Sequence, residues 1–198
     1  MSSRFASPDT PARTGVWVGI GAIAMSFAAY TSAMIVRGGS APNWQHFRLP
    51  PILYLNTVVL LVSSVTLEAG RRQLTRAANR PERTGDPQLD VPAGGLSWLY
   101  LTLVLGIIFL AGQCLAWLDL AAQGLFLATN PSSSFFYVFT AMHGLHLVGG
   151  LAGLAFVLRR VSRGADTGSL GALGAAALYW HFMGVLWLYL LGVLALWV

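Results

Sequence analysis

Three histidines are the residues best placed to do chemistry in this 198-residue chain. His143 and His146 are spaced i, i+3, which puts both on one face of a helix. At 1.5 Å per residue, His146 lies on the order of 16 Å along from Phe135. His181 lies at a similar depth, counted from the opposite end of a later apolar run. Imidazoles at one level on two helices could ligate haem iron, and a set of three or four ligands could hold zinc. The alternative without metal is neutral histidines hydrogen-bonded inside a bundle, beside Tyr, Trp and Ser groups. No carboxylate lies at that depth to complete a non-haem iron site. Glu68 and Asp119 fall near the ends of apolar runs and read as interfacial carboxylates. His46 lies in a connecting segment and reads as solvated. Cys114 is the one cysteine, which excludes an intrachain disulfide and a thiolate metal cluster. There is no Walker loop, no dinucleotide fingerprint and no Ser/His/Asp set.

The elements that would position these groups are membrane helices. The chain is 56% apolar and only 10% charged, against roughly a quarter charged for a soluble domain. Its mean hydropathy is +0.64. That composition excludes a soluble enzyme, a disordered chain and a nucleic-acid binder. Five apolar stretches reach the length of about 20 residues that a helix needs to cross a bilayer. They run over about 15–36, 52–69, 96–118, 135–158 and 171–197. The Pro50-Pro51 pair opens the second, where a helix tolerates proline. Peptide groups in lipid must pair internally, and no alternating ten-residue pattern points to a barrel. The expected architecture is an all-α membrane protein. A single membrane domain covers 1–198, with 1–13 as a flexible cytoplasmic tail. The first apolar run is too long for a signal peptide and lacks a small-x-small cleavage pattern.

Arginine placement sets an orientation. Every basic residue is Arg, and none lies in a span interior. Arg4, Arg13, Arg71, Arg72, Arg76, Arg80, Arg83, Arg159, Arg160 and Arg163 share one side, leaving Arg37 and Arg48 on the other. The net charge of +5 therefore marks membrane flanks. The positive-inside rule places the N-terminus in the cytoplasm and the C-terminus outside. The segment from Arg71 to Pro92 reads as an inside linker. Asn130-Pro131 reads as a turn in an outer loop, with Ser132, Ser133 or Ser134 able to cap the next helix.

Other features read as packing. Gly149 and Gly153 form a small-xxx-small pair that permits close approach of helices. Asn56 and Ser63, and Thr57 and Ser64, recur at seven residues and form a polar stripe facing another helix. Gln113 belongs to the same class. Trp17, Trp98, Tyr100 and Trp197 sit near span ends, where amphipathic rings settle.

Three segments then resemble a known family. Phe135 to Gly150 reads FFYVFTAMHGLHLVGG. It resembles the F-x-x-T-G-x-H-G-x-H-x-x-x-G signature of cytochrome c oxidase subunit III, through Thr140, His143, Gly144, His146 and Gly150, with Ala141 where Gly is usual. Tyr179-Trp180-His181-Phe182 with Trp187 resembles that family's final helix. Leu55-Asn56-Thr57 through Ser63-Ser64 resembles its L-N-T-x-x-L-x-x-S-S helix. The end of the first span, Thr31 to Gly39, is a fourth match, and Gly112-Gln113 and Trp117 fit the third span more loosely. The family usually has seven helices, and this chain resembles a short bacterial form lacking the first two.

The resemblance implies a non-catalytic subunit of a haem–copper terminal oxidase in the bacterial cytoplasmic (inner) membrane, supporting assembly, stability, lipid binding and sustained proton uptake. The complex would couple cytochrome c oxidation to oxygen reduction and proton pumping. The implied partners are the catalytic subunit I, subunit II and membrane phospholipids, with no nucleic acid. Haem and copper would belong to those partners and none to this chain, which would hold structural phospholipid in a cleft. Arg37, Asn56, His143, His146, Trp180 and His181 are then lipid- or cleft-contacting candidates. Arg37 could hold a lipid phosphate bidentately. Gly144, Gly149, Gly150 and Gly153 are helix-packing candidates. Three family carboxylates are replaced, around Ala22, at Ala116 and at Gly184, so no proton-antenna role carries over. The other readings are a quinol oxidase subunit III, a nitric oxide reductase accessory subunit, an independent haem protein ligated by His146 and His181, and a small transporter. A transporter needs repeats or broken helices, and the sequence has no repeat.

Overall fold

A long apolar stretch in lipid has no water to satisfy its N–H and C=O groups, so it closes its own hydrogen bonds as a helix. The computed structural model describes residues 10–78, 92–163 and 167–198, and there the chain forms five α-helices and no strand. They are α1 (Thr10–Ser40), α2 (Ile52–Ala78), α3 (Ala93–Ala122), α4 (Pro131–Val161) and α5 (Thr167–Trp197). All five are long and apolar enough to cross a membrane. At 27 to 31 residues, they measure roughly 40–46 Å against a hydrocarbon core of about 30 Å. Their ends therefore reach the headgroup zone.

The expected spans are all present, and each helix extends beyond them. Residues 10–13, expected in a flexible tail, open α1, while 1–9 lie outside the described residues. The largest extension is in α2. Arg71, Arg72 and Arg76 were expected in a linker and instead lie on the helix. Leu67, Gly70 and Leu74 continue its buried face past the apolar run. A Cβ on Gly70 would meet the Gly95 carbonyl at 3.0 Å, and one on Gly95 would meet Leu74 at 2.9 Å. These two glycines bring α2 and α3 together backbone to backbone. Arg4, Arg80 and Arg83 lie outside the described residues.

The cap of α4 also differs from expectation. Asn130 is the N-cap, not one of the serines, and Pro131 sits in the first turn. The Asn130 side chain accepts from the Ser133 N–H at 2.8 Å, and Ser133 Oγ accepts from the Asn130 N–H at 3.4 Å. This reciprocal box satisfies two otherwise orphaned donors.

Helices α2, α3, α4 and α5 each pack on the next, and α5 closes back onto α2. Helix α1 lies outside this ring and packs on α4 and α5. The segment 41–51 crosses one end of the bundle. Its Phe47 N–H donates to the Val198 carbonyl at 2.7 Å, and Trp44 Nε1 donates to the Trp197 carbonyl at 2.9 Å. Ser132 Oγ on α4 donates to the Gln45 carbonyl at 2.6 Å. One short segment thus ties the ends of α4 and α5 together.

Candidate functional site

The three histidines go to three different seams. His143 is wholly buried where α3, α4 and α5 meet. Its ring lies 5.9 Å from Phe109 and 5.1 Å from Trp187, and those two rings meet edge-on at 5.0 Å. The expected Tyr, Trp or Ser hydrogen-bond partner from the protein is missing at this position. Neither ring nitrogen has a protein partner, because aromatic faces, not hydroxyls, line it.

His146 turns toward α1, with its ring 6.0 Å from Phe27. Its Nδ1 lies 2.7 Å from the Met142 carbonyl, and since a carbonyl only accepts, Nδ1 carries the proton. The backbone carbonyl of His146 accepts from the Tyr179 hydroxyl at 3.0 Å. That bond fixes the direction of α5, since Tyr179 faces α4. His181, two residues on, is about 200° further round and faces α2. There it lines an open crevice of about 600 Å³ with Ser64, Glu68, Arg72, Gln73 and Arg76. Glu68 is bridged by Arg71 at 2.8 Å and Arg72 at 2.7 Å. His146 therefore turns to α1 and His181 to α2, so the structure does not bring these two rings together.

The polar stripe of α2 does face other helices, and it joins them. Asn56 Nδ2 donates to the Phe109 carbonyl at 3.3 Å. Trp187 Nε1 donates to Thr57 Oγ1, and Trp180 Nε1 donates to Ser63 Oγ, each at 3.0 Å. Thr66 and Thr102 share a bond of 2.8 Å between α2 and α3. Trp117 Nε1 donates to Thr140 Oγ1 at 2.9 Å between α3 and α4. The Tyr189 hydroxyl and Thr31 share one of 3.0 Å between α5 and α1. Sequence reasoning passed over Thr66, Thr102 and Tyr189. For four of these bonds the signal is a Trp or Tyr on one helix for a hydroxyl on another; the Thr66–Thr102 pair carries no such signal. Inside lipid such pairs replace water as the partner of each polar group.

Asn56, His143 and Trp180 are thus enclosed by protein, while Arg37, His146 and His181 keep exposed surface. Arg37, at the last turn of α1, borders an open crevice of about 590 Å³ with Asn43, Thr129, Asn130 and Ser134. A cation and several polar groups there suit an anionic, phosphate-bearing group.

The expected glycine pair makes no close approach within this chain. Gly149 and Gly153 face outward, and a Cβ on either meets nothing within 4 Å. The close approach falls one residue on, where a Cβ on Gly150 would meet Tyr179 at 2.9 Å. A Cβ on Gly144 would meet Leu110 at 3.9 Å, an ordinary contact. Ala116 is fully buried, and a Cβ on Gly184 would lie 3.6 Å from Ser64 Oγ. The apolar replacements at 116 and 184 thus sit inside the bundle, while Ala22 is exposed on α1.

Comparison with known proteins agrees with this architecture. The family model described as cytochrome c oxidase subunit III matches residues 24–198. A probable cytochrome c oxidase subunit 3 of Mycobacterium tuberculosis is 31% identical over 176 residues, covering 85% of this chain and 77% of that protein. The cytochrome c oxidase subunit 3 of Synechocystis is 31% identical over 170 residues, covering 83% and 66%. That of Corynebacterium diphtheriae is 29% identical over 169 residues, covering 85% and 75%. With the family match running from the middle of α1 to the end of α5 and the signature residues seated in their seams, the chain belongs to the cytochrome c oxidase subunit III family.

Proposed function

We propose that this chain is the non-catalytic subunit III of a haem–copper terminal oxidase in a bacterial cytoplasmic membrane. It packs beside the catalytic subunit I, with subunit II in the same complex. The complex oxidises cytochrome c, reduces oxygen and pumps protons, with haem and copper held by the partners. The arginine-rich end faces the cytoplasm, following the positive-inside rule. This chain contributes assembly, stability and lipid binding.

The observation that carries this reading is what the family-signature residues do. Asn56, Thr140, Trp180 and Trp187 place their polar groups on a neighbouring helix. These residues hold a scaffold together. The Arg37 crevice, at the end of the bundle opposite the arginine-rich one, is the site for a lipid phosphate, with acyl chains laid along the exposed apolar side chains Ile35 and Val36.

The test is to tag the chain in its host, purify it in mild detergent, and identify what accompanies it by mass spectrometry and a reduced-minus-oxidised spectrum. A large haem–copper subunit should co-purify, and its haem should stay with it when the tagged chain is stripped away. A chain that purifies alone with its own stoichiometric haem overturns the reading.

A further inference from the structure

We propose that Gln113 of α3 and His143 of α4 together hold a buried water site in the α3–α4 seam. Gln113 is 3% exposed and His143 0%. Both polar atoms of the Gln113 amide and both nitrogens of the His143 ring are cut off from solvent and have no hydrogen-bond partner in the protein. Elsewhere in the seams Asn56, Ser63, Thr66, Thr102 and Thr140 are all hydrogen-bonded. Buried polar groups are nearly always satisfied, by protein or by ordered water.

The two residues share one stretch of the seam. Phe109, one turn before Gln113, meets the His143 ring at 5.9 Å. Trp117, one turn after it, binds Thr140, three residues before His143, at 2.9 Å. Gln113 is thus bracketed by two contacts to the segment of α4 that carries His143. The walls come from this chain itself, Phe109, Trp187 and the Trp117–Thr140 pair, so a partner subunit does not reach these atoms.

The chemistry selects the ligand. An amide offers donors and an acceptor, and a neutral imidazole offers one of each. Among the described residues, Gln113 and His143 are the ones with unpartnered buried side-chain atoms, and no group of three or more His, Cys, Asp or Glu forms a metal site. The occupant must be small, neutral and able both to donate and to accept, and water fits with its usual two to four partners.

The test is a cryo-EM map of the intact oxidase that resolves other buried waters. We expect a peak about 3 Å from both the Gln113 amide and a His143 nitrogen. In the Gln113→Leu complex that peak should vanish. Gln113→Leu and His143→Phe should each lower retention of the subunit on heating, and the double variant should recover part of the loss. A wild-type map with no peak, or with the two side chains bonded directly to each other, overturns the proposal. So does a peak that persists unchanged in Gln113→Leu. If the variants do not assemble, the wild-type map alone decides.

Discussion

Trp180 and Ser63, 117 residues apart in the chain, share one hydrogen bond of 3.0 Å in the seam between α5 and α2. Both are fully buried, so neither group can fall back on water. Ser63→Ala leaves the indole N–H unpaired and should cost about 1–3 kcal/mol. The measurement is the temperature at which the subunit leaves the purified complex.

The benzene ring of the same indole leaves no room beside Gly106. A Cβ on Gly106 would lie 2.8 Å from Trp180 and 2.7 Å from Leu151. Gly106→Ala should destabilise by about 1–3 kcal/mol through overpacking. Gly149→Ala, where a Cβ meets nothing, should be near neutral within this chain. Equal loss from the two substitutions, by the same thermal assay, would contradict the packing described.

Gly112 gives a sharper case. A Cβ there would collide with the Asn56 side-chain amide. Gly112→Ala should displace Asn56 and break its bond to the Phe109 carbonyl, greatly reducing incorporation of the subunit. Shortening the obstacle should help, so Asn56→Ala with Gly112→Ala should assemble better than Gly112→Ala alone. Quantitative blotting of membranes against subunit I reads both outcomes.

Asn130→Ala removes the cap of α4 together with the side-chain bond to Gln45. A cap alone is worth about 1 kcal/mol. The first turn of α4 and the segment 41–51 should exchange amide hydrogens faster, while the middle of α4 should not change. Hydrogen exchange of the purified complex tests this.

Arg37→Ala should lower the phospholipid that co-purifies, and Arg37→Lys should fall between it and the wild type, since only a guanidinium binds phosphate bidentately. Phosphorus analysis of the purified complex gives the count. Unchanged phospholipid in Arg37→Ala would remove this residue from the lipid site.

Five helices were legible because apolar runs of span length stand out in a sequence so poor in charge. Their ends were not. The run of α2 stops near Ala69, yet the helix goes on to Ala78, since Leu67, Gly70 and Leu74 keep one face packed on α3 while the arginines point outward. An apolar run measures the lipid-facing length, whereas burial against a neighbour follows a 3.6-residue period. The histidines show the same limit. Spacing put His143 and His146 on one face, but that face straddles a junction, and about 60° separates a residue in the α3–α4–α5 core from one packed on α1. Which neighbour a face meets depends on bundle order, which no local pattern encodes. The glycine pair went the same way. Gly149 and Gly153 had the right spacing, but Gly150 has the neighbour.

The bundle is closed by its final helix. Thr31, Thr57 and Ser63 on α1 and α2 find their hydroxyl or indole partners only on α5, at sequence separations of 158, 130 and 117 residues. During synthesis α2 and α3 can zip together as neighbours, but α5 emerges after the other four. Until then the ring is open along one side, and α1 is held by α4 alone. Helix α5 is thus the keystone of the bundle, the element that joins α1 and α2 to the rest.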